Sequence, residues 1–141
     1  MNKEIVSGNT EVFIRRSVNN GATWGPKVQI YNATGRSEDP AVNVSGSNVY
    51  LSWNDNRTGT MQIFYRHSTD MGVNWGAEFQ LTSAFSPGTC YTTMVSADGS
   101  NIDIPYGYQT GSFNFDVWFR QSSDWGVTFA TEQQLVQRSK Q

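Results

Sequence analysis

Apolar and polar positions alternate along most of the chain, in short runs cut by small polar turns. Three runs resemble one another: "EVFIRRS" (11–17), "QIFYRHS" (62–68) and "DVWFRQS" (116–122). Each is followed by a polar turn and a shorter run: "PKVQIY" (26–31), "AEFQLT" (77–82) and "TEQQLV" (131–136). Ahead of the second lies "PAVNVSGSNVYLSW" (40–53), two alternating stretches around Ser45–Asn48. Ahead of the third lies "TTMVSADGSNIDIPY" (92–106), which turns at Ala97–Ser100. A period of two puts Val49, Leu51 and Trp53 on one face of a strand and Tyr50 and Ser52 on the other. Both faces carry apolar residues, which suits a sheet held between two neighbouring sheets. No long window shows helical spacing, and no run is long enough to span a bilayer. The fold class is all-β, with each complete unit four antiparallel strands in about fifty residues.

The turn between the long and the short run is spelled three times: "SVNNGATWG", "STDMGVNWG" and "SSDWGVTFA". The copies begin at Ser17, Ser68 and Ser122, 51 and 54 residues apart. Small four-stranded meanders repeated at this period and stacked radially make a β-propeller. The period divides the chain into an incomplete blade (1–33) and two full blades (34–84 and 85–141). Residues 10–30 supply only the outer two strands of the first blade, and Ile5 and Val6 promise at most one short strand more. About two and a half blades fall short of the ~4–8 of a closed ring. Open blade faces and strand edges invite association. The expectation is therefore closure by self-association, a homo-oligomer with a dimer favoured, unless the chain is a piece of a longer protein.

The repeated pattern, S-x-D-x-G-x-[ST]-[WF], is similar to the Asp-box, or BNR repeat, of sialidases and related propellers. The second copy carries Ser68, Asp70, Gly72 and Trp75, and the third Ser122, Asp124, Gly126, Thr128 and Phe129. The first has Ser17, Gly21, Thr23 and Trp24, with Asn19 in place of the acid. Asn74 stands where Ser or Thr is usual. The resemblance covers nearly the whole chain and implies that these turns are fold elements remote from any catalytic face. Physical chemistry points the same way. An Asp or Asn side chain accepts hydrogen bonds from the backbone ahead of it, Gly takes a conformation other residues resist, and the aromatic plugs the gap between strands.

In a four-stranded meander the first and third turns share one end of the sheet, and the second turn joins the interblade connector at the other. The second end collects "GRSEDP" (35–40), "NDNRTGT" (54–60), "SAFSPGTCY" (83–91) and "YGYQTGS" (106–112). A rigid scaffold presents functional loops in this way. The candidate ligand residues are Arg36, Glu38, Asp39, Asn54, Asp55 and Arg57 from the second blade and Tyr106 and Tyr108 from the third, beside Tyr91 and Gln109. Planar hydrogen-bonding forks and aromatic faces suit a sugar. The competing reading is that the charged set merely ties adjacent loops together and that the tyrosines fill space between blades.

Arg15, Arg66 and Arg120 recur just before the repeated turn. They invite comparison with the arginine triad of sialidases, but they lie at the wrong end and read as structural. His67, in the same run, reads as a packing or surface residue. The Arg-Ile-Pro signature is absent, the loop-rich end offers only Arg36 and Arg57 as arginines, and no Glu stands behind Tyr106 or Tyr108 except Glu132 on the outer strand. No catalytic residue is assigned, since glycosidic chemistry needs a nucleophile and an acid on opposite sides of the bond.

Composition narrows the rest. A net charge of −2 with 16% charged residues argues against a nucleic-acid surface. Cys90 is the one cysteine and reads as a small buried hydrophobe. Neither metal nor cofactor is expected, nor a membrane partner. The start "MNKEIVSGN" has no apolar signal segment, whereas the resemblance implies a secreted or cell-surface protein, so the compartment is left open. Sequons at Asn32, Asn43 and Asn56 carry little weight in a chain so rich in Asn, Ser and Thr. Three functions compete: a non-catalytic sialidase-like module that binds glycans and self-associates, a fragment of an exo-α-sialidase or related glycoside hydrolase, and a ligand-free oligomerising scaffold.

Overall fold

A computed structural model describes residues 2–6, 9–32, 34–82, 88–92, 94–111 and 114–136. The described residues form twelve strands in three antiparallel sheets and contain no helix. The first sheet takes β1 (Asn2–Val6), β2 (Asn9–Ile14) and β3 (Val28–Gln29) in that order. The second takes β4 (Ser37–Ser45), β5 (Asn48–Asp55), β6 (Gln62–Ser68) and β7 (Phe79–Gln80). The third has β8 (Thr89–Thr92) and β9 (Ser96–Asp98) sharing the first position, both paired with β10 (Asn101–Gly111), then β11 (Asn114–Ser122) and β12 (Gln133–Val136). The chain is a partial β-propeller.

β1 is longer than the short strand expected from Ile5 and Val6. It pairs Asn2–Val6 with Phe13–Asn9 and so takes the place that β5 holds beside β6, over a shorter length.

The period of two decides the packing. Leu51, Trp53 and Phe64 of the second sheet join Val12 and Ile30 of the first in one buried cluster. Tyr50, Ile63, Tyr65 and Leu81, on the opposite face, join Cys90, Val95, Ile102, Ile104, Tyr106 and Tyr108 of the third. The middle sheet is thus apolar on both sides because it is covered on both sides. Each fully buried large side chain contributes roughly 1.5–3 kcal/mol by leaving water, which outweighs the weak intrinsic stability of a lone four-stranded meander.

The three repeated turns share one construction. Ser17, Ser68 and Ser122 Oγ each accept the glycine N–H four residues on, all at 2.9 Å. Asn19 Oδ1 accepts Thr23 N–H at 2.9 Å, Asp70 Oδ1 accepts Asn74 N–H at 2.8 Å, and Asp124 Oδ1 accepts Thr128 N–H at 2.9 Å. Two successive left-handed residues form each bend: Asn20–Gly21, Met71–Gly72 and Trp125–Gly126. The sequence points to the glycines but not to Met71 and Trp125, which take φ of 59° and 64°. Met71 N–H bonds Ser47 O at 2.7 Å and Trp125 N–H bonds Ser100 O at 3.0 Å. These bonds tie the third turn of each full sheet to its first, so both lie at one end.

Candidate functional site

Two of the three arginines before the turns, Arg66 and Arg120, act as clips between sheets. Arg120 donates to Leu81 O of the second sheet at 2.6 Å and to Ala130 O and Phe129 O of its own turn at 2.8 and 3.2 Å. Arg66 repeats the arrangement with Ile30 O of the first sheet, Gly76 O at 2.7 Å and Trp75 O at 3.5 Å. Their guanidinium groups are spent on backbone carbonyls, which agrees with a structural role. His67 lies between the Tyr50 and Tyr65 rings, with centroids 6.5 and 6.1 Å away, and burial lowers its pKa.

At the other end, the predicted ligand residues separate into two groups. Asp55 and Arg57 form a sealed cluster. Asp55 accepts from Ser37 Oγ at 2.7 Å, Trp53 Nε1 at 3.3 Å, and Arg57 N, Nε and Nη2 at 2.9, 2.9 and 2.6 Å. Arg57 Nη1 reaches Glu78 at 2.6 Å, and its guanidinium carbon lies 3.4 Å from the Tyr31 ring centre and 4.0 Å from that of Phe64. Burial alone would raise the Asp55 carboxyl, but the hydrogen bonds from Arg57 and Ser37 outweigh it and hold the group below its ordinary value. Every donor position of Arg57 used here faces the protein, so this pair locks the first sheet to the second. Asn54 is also buried, and its amide donates to Asp39 Oδ2 at 3.2 Å.

Tyr106 and Tyr108 are not the sugar platform expected of them. Both side chains are buried in the cluster between the second and third sheets. β10 runs straight through both and on to Gly111, so Ile102, Ile104, Tyr106 and Tyr108 share one inward face. Burial, and then the negative charge of Glu132, push the Tyr106 phenol well above its ordinary range. Cys90 is buried as expected, with its thiol pushed up to about 11 by burial.

Two candidates, Arg36 and Asp39, face solvent. Arg36, 56% exposed at its side chain, holds Glu38, only 12% exposed, at 2.7 Å. Exposed Asp39 follows at a bulge between Glu38 and Ala41, with φ of 50°. A left-handed non-glycine residue at a bulge re-aims its side chain and concentrates at binding sites. Asn56 braces the approach: its Oδ1 accepts Arg36 N–H at 2.7 Å, and a Cβ on Gly35 would lie 2.5 Å from that same oxygen.

On the third sheet the equivalent of Glu38 is Tyr91. Glu38 pairs with Asn54 and Tyr91 with Gly107, each six residues after the start of its partner strand. Tyr91 is exposed and donates its hydroxyl to Gln109 Oε1 at 3.3 Å. Most of the 83–91 loop and Ser112 lie outside the described residues. The arrangement places two carboxylates and an aromatic ring on neighbouring first strands at equivalent register positions, with a cation just ahead of one strand and an amide on the strand beside the other. No group of three metal-ligating side chains occurs among the described residues.

An apolar cavity of about 800 Å³ opens at the turn end, between the first and second sheets, lined in part by Ile14, Trp24, Val42, Val44, Val49 and Met71. No signal in the sequence pointed to it. β1 pairs with Asn9–Phe13 of β2, and the cavity lining takes up beyond that pairing, from Ile14 to Val18.

No family model matches the sequence, and no curated protein matches it. Solved structures do. An α-L-arabinanase of Penicillium chrysogenum complexed with arabinobiose superposes with a TM-score of 0.61 at 18% identity, over 90% of this chain and 41% of that one. The family GH93 α-L-arabinofuranosidase of Fusarium graminearum with arabinobiose gives 0.58 at 19% identity, over the same shares. At such identity the likeness establishes the fold, that of a propeller found in arabinan-degrading glycoside hydrolases. The chain spans 41% of the length of these structures.

Proposed function

We propose that the chain is a carbohydrate-binding, non-catalytic segment of an Asp-box propeller of sialidase-like type, with blades at 1–33, 34–84 and 85–141. A sugar is held at the loop-rich end over Arg36, Glu38, Asp39 and Tyr91, and the segment self-associates to complete its ring. The observation that carries this reading is the bulge at Asp39. It spends backbone strain to bring the exposed Asp39 carboxylate beside the Arg36–Glu38 pair, whose arginine is open to solvent, while Asp55 and Arg57 are paired inside the protein. Charge-assisted hydrogen bonds to vicinal hydroxyls and an aromatic face for the ring are the usual means of sugar recognition. The hydrogen bonds within the three turns support the Asp-box assignment.

The test is titration calorimetry with arabino-oligosaccharides and with sialosides. Binding in the micromolar to millimolar range is expected with one of them, lost in Glu38→Gln and in Tyr91→Ala while the melting temperature holds. Absence of heat with every oligosaccharide, from a folded chain, would sink the reading. The solved neighbours favour a second reading, a portion of a glycoside hydrolase completed by further blades. Release of nitrophenol from aryl arabinofuranoside or sialoside by this chain alone would favour it over the first.

A further inference from the structure

The two interfaces between sheets share a clip-and-plug construction, and the clip and plug of one half and the apolar positions of the other recur, exposed, on the first and third sheets. Three positions face the preceding sheet: the ring at Phe64 and Trp118, the clip at Arg66 and Arg120, and the plug at Trp75 and Phe129. The Phe129 ring meets Tyr65 edge-on, with centroids 4.9 Å apart, and stacks on Phe79 at 6.2 Å. In the first sheet these positions are Phe13, which is buried with Lys27 Nζ 4.3 Å from its ring centre, and Arg15 and Trp24. Trp24 is 58% exposed, and Arg15 is exposed and donates to none of the described residues.

Three further positions face the following sheet. Val12 and Ile63 are buried, as are Ile30 and Leu81, whose carbonyls receive the clips. In the third sheet the same positions are Val117, 40% exposed, and Leu135, 57% exposed, with Phe119 at the place of Tyr65.

We propose that a second copy of the chain covers these faces. The Arg15 and Trp24 face of one copy seats on the Val117, Phe119 and Leu135 face of the other, with Arg15 donating to the Leu135 carbonyl. The proposal rests on the self-association put forward above and gives it a direction: head to tail, with unlike surfaces in contact. The occupant follows from continuity, because the chain already makes this interface twice with its own sheets, with the clip on a carbonyl both times and aromatic on aromatic between the second and third. Unlike surfaces that meet across a two-fold axis form two identical contacts and close a ring.

Sedimentation analysis of the full chain tests it. The wild type is expected to be a dimer at micromolar concentration. Arg15→Ala with Trp24→Ala raises the dissociation constant about 30-fold or more, as for a central aromatic and arginine pair. Leu135→Asp does the same. These side chains are exposed in the single chain, so melting temperatures measured on the monomers should stay within a few degrees of one another. Mixing the two variants restores a dimer, because one of its two contacts is then wild type on both sides, a rescue that a like-on-like interface does not give. A wild type that stays monomeric overturns both the self-association and this interface. A dimer indifferent to the substitutions, or one that mixing fails to rescue, overturns this interface and leaves self-association standing.

Discussion

The two ends of these sheets solve the same problem differently. At the turn end, three copies of one short sequence make three copies of one hydrogen-bond network, with the serine-to-glycine bond at 2.9 Å in each. At the loop end, equivalent positions carry different chemistry. Where the second sheet places Ser37, Trp53, Asp55, Arg57 and Glu78, the third places Cys90, Tyr106, Tyr108, Thr110 and Glu132. The first solution is local and repeats. The second is assembled from distant segments and is made afresh in each blade.

Removing a partner from the assembled network is the severest way to break that contrast. Arg57→Ala leaves the Asp55 carboxylate buried without its cation and should cost about 3–5 kcal/mol in a urea titration. The loss should be much smaller in Arg57→Ala with Asp55→Asn, where no charge is stranded. If the single variant is nearly neutral, the cluster is not what locks the first sheet to the second.

The turns are alike in bonding but not in surroundings, and a methyl group measures the difference. A Cβ on Gly126 would lie 2.0 Å from the Tyr65 hydroxyl, whereas one on Gly21 would meet nothing nearer than 4.0 Å. Both glycines are left-handed, with φ of 77° and 84°. Gly126→Ala should therefore cost about 2–4 kcal/mol, from strain and overpacking together, and Gly21→Ala only about 1 kcal/mol. Equal losses would mean that the clash relaxes away and only the backbone term remains.

The smallest effect is in acid. Asp124 is held at about 2 by Thr128 and Ser122, and Asp70 at about 2 by Asn74 and Ser68, against an ordinary 3.8. The folded chain thus gives up these protons more readily than the unfolded one. The stabilisation is complete above about pH 4 and is lost as pH falls toward 2. Asn19 fills the same place in the first turn with nothing to titrate, so that turn is the internal control. Melting temperature against pH should flatten across this window in Asp70→Asn with Asp124→Asn. An unchanged slope would assign the acid sensitivity to other carboxylates.

Much of the fold was legible because it is local. Alternation gave the strands, and the three-fold turn gave the period. The division of Leu51 and Trp53 from Tyr50 proved to be the division between the two cores. The candidate site was legible only in part. Arg36 and Asp39 face solvent, whereas Asn54 and Asp55 are buried and Glu38 and Arg57 each keep only 12% of the side chain exposed. What a loop arginine touches depends on Tyr31 and Glu78, which belong to other segments. Tyr106 and Tyr108 were legible and were misplaced. The spacing of Ile102, Ile104, Tyr106 and Tyr108 already carried the inward face of β10 past the point where a loop was expected to begin.

The sequence by itself determined what depends on a few neighbouring residues: strands from alternation, bends from glycine beside a hydrogen-bonding acid or amide, and a blade from their repetition. Only the tertiary structure decided which charges are consumed and which are offered. That depends on the packing of three sheets against one another, since a carboxylate paired between sheets and a carboxylate open to a ligand are the same letter until a neighbouring sheet covers one of them.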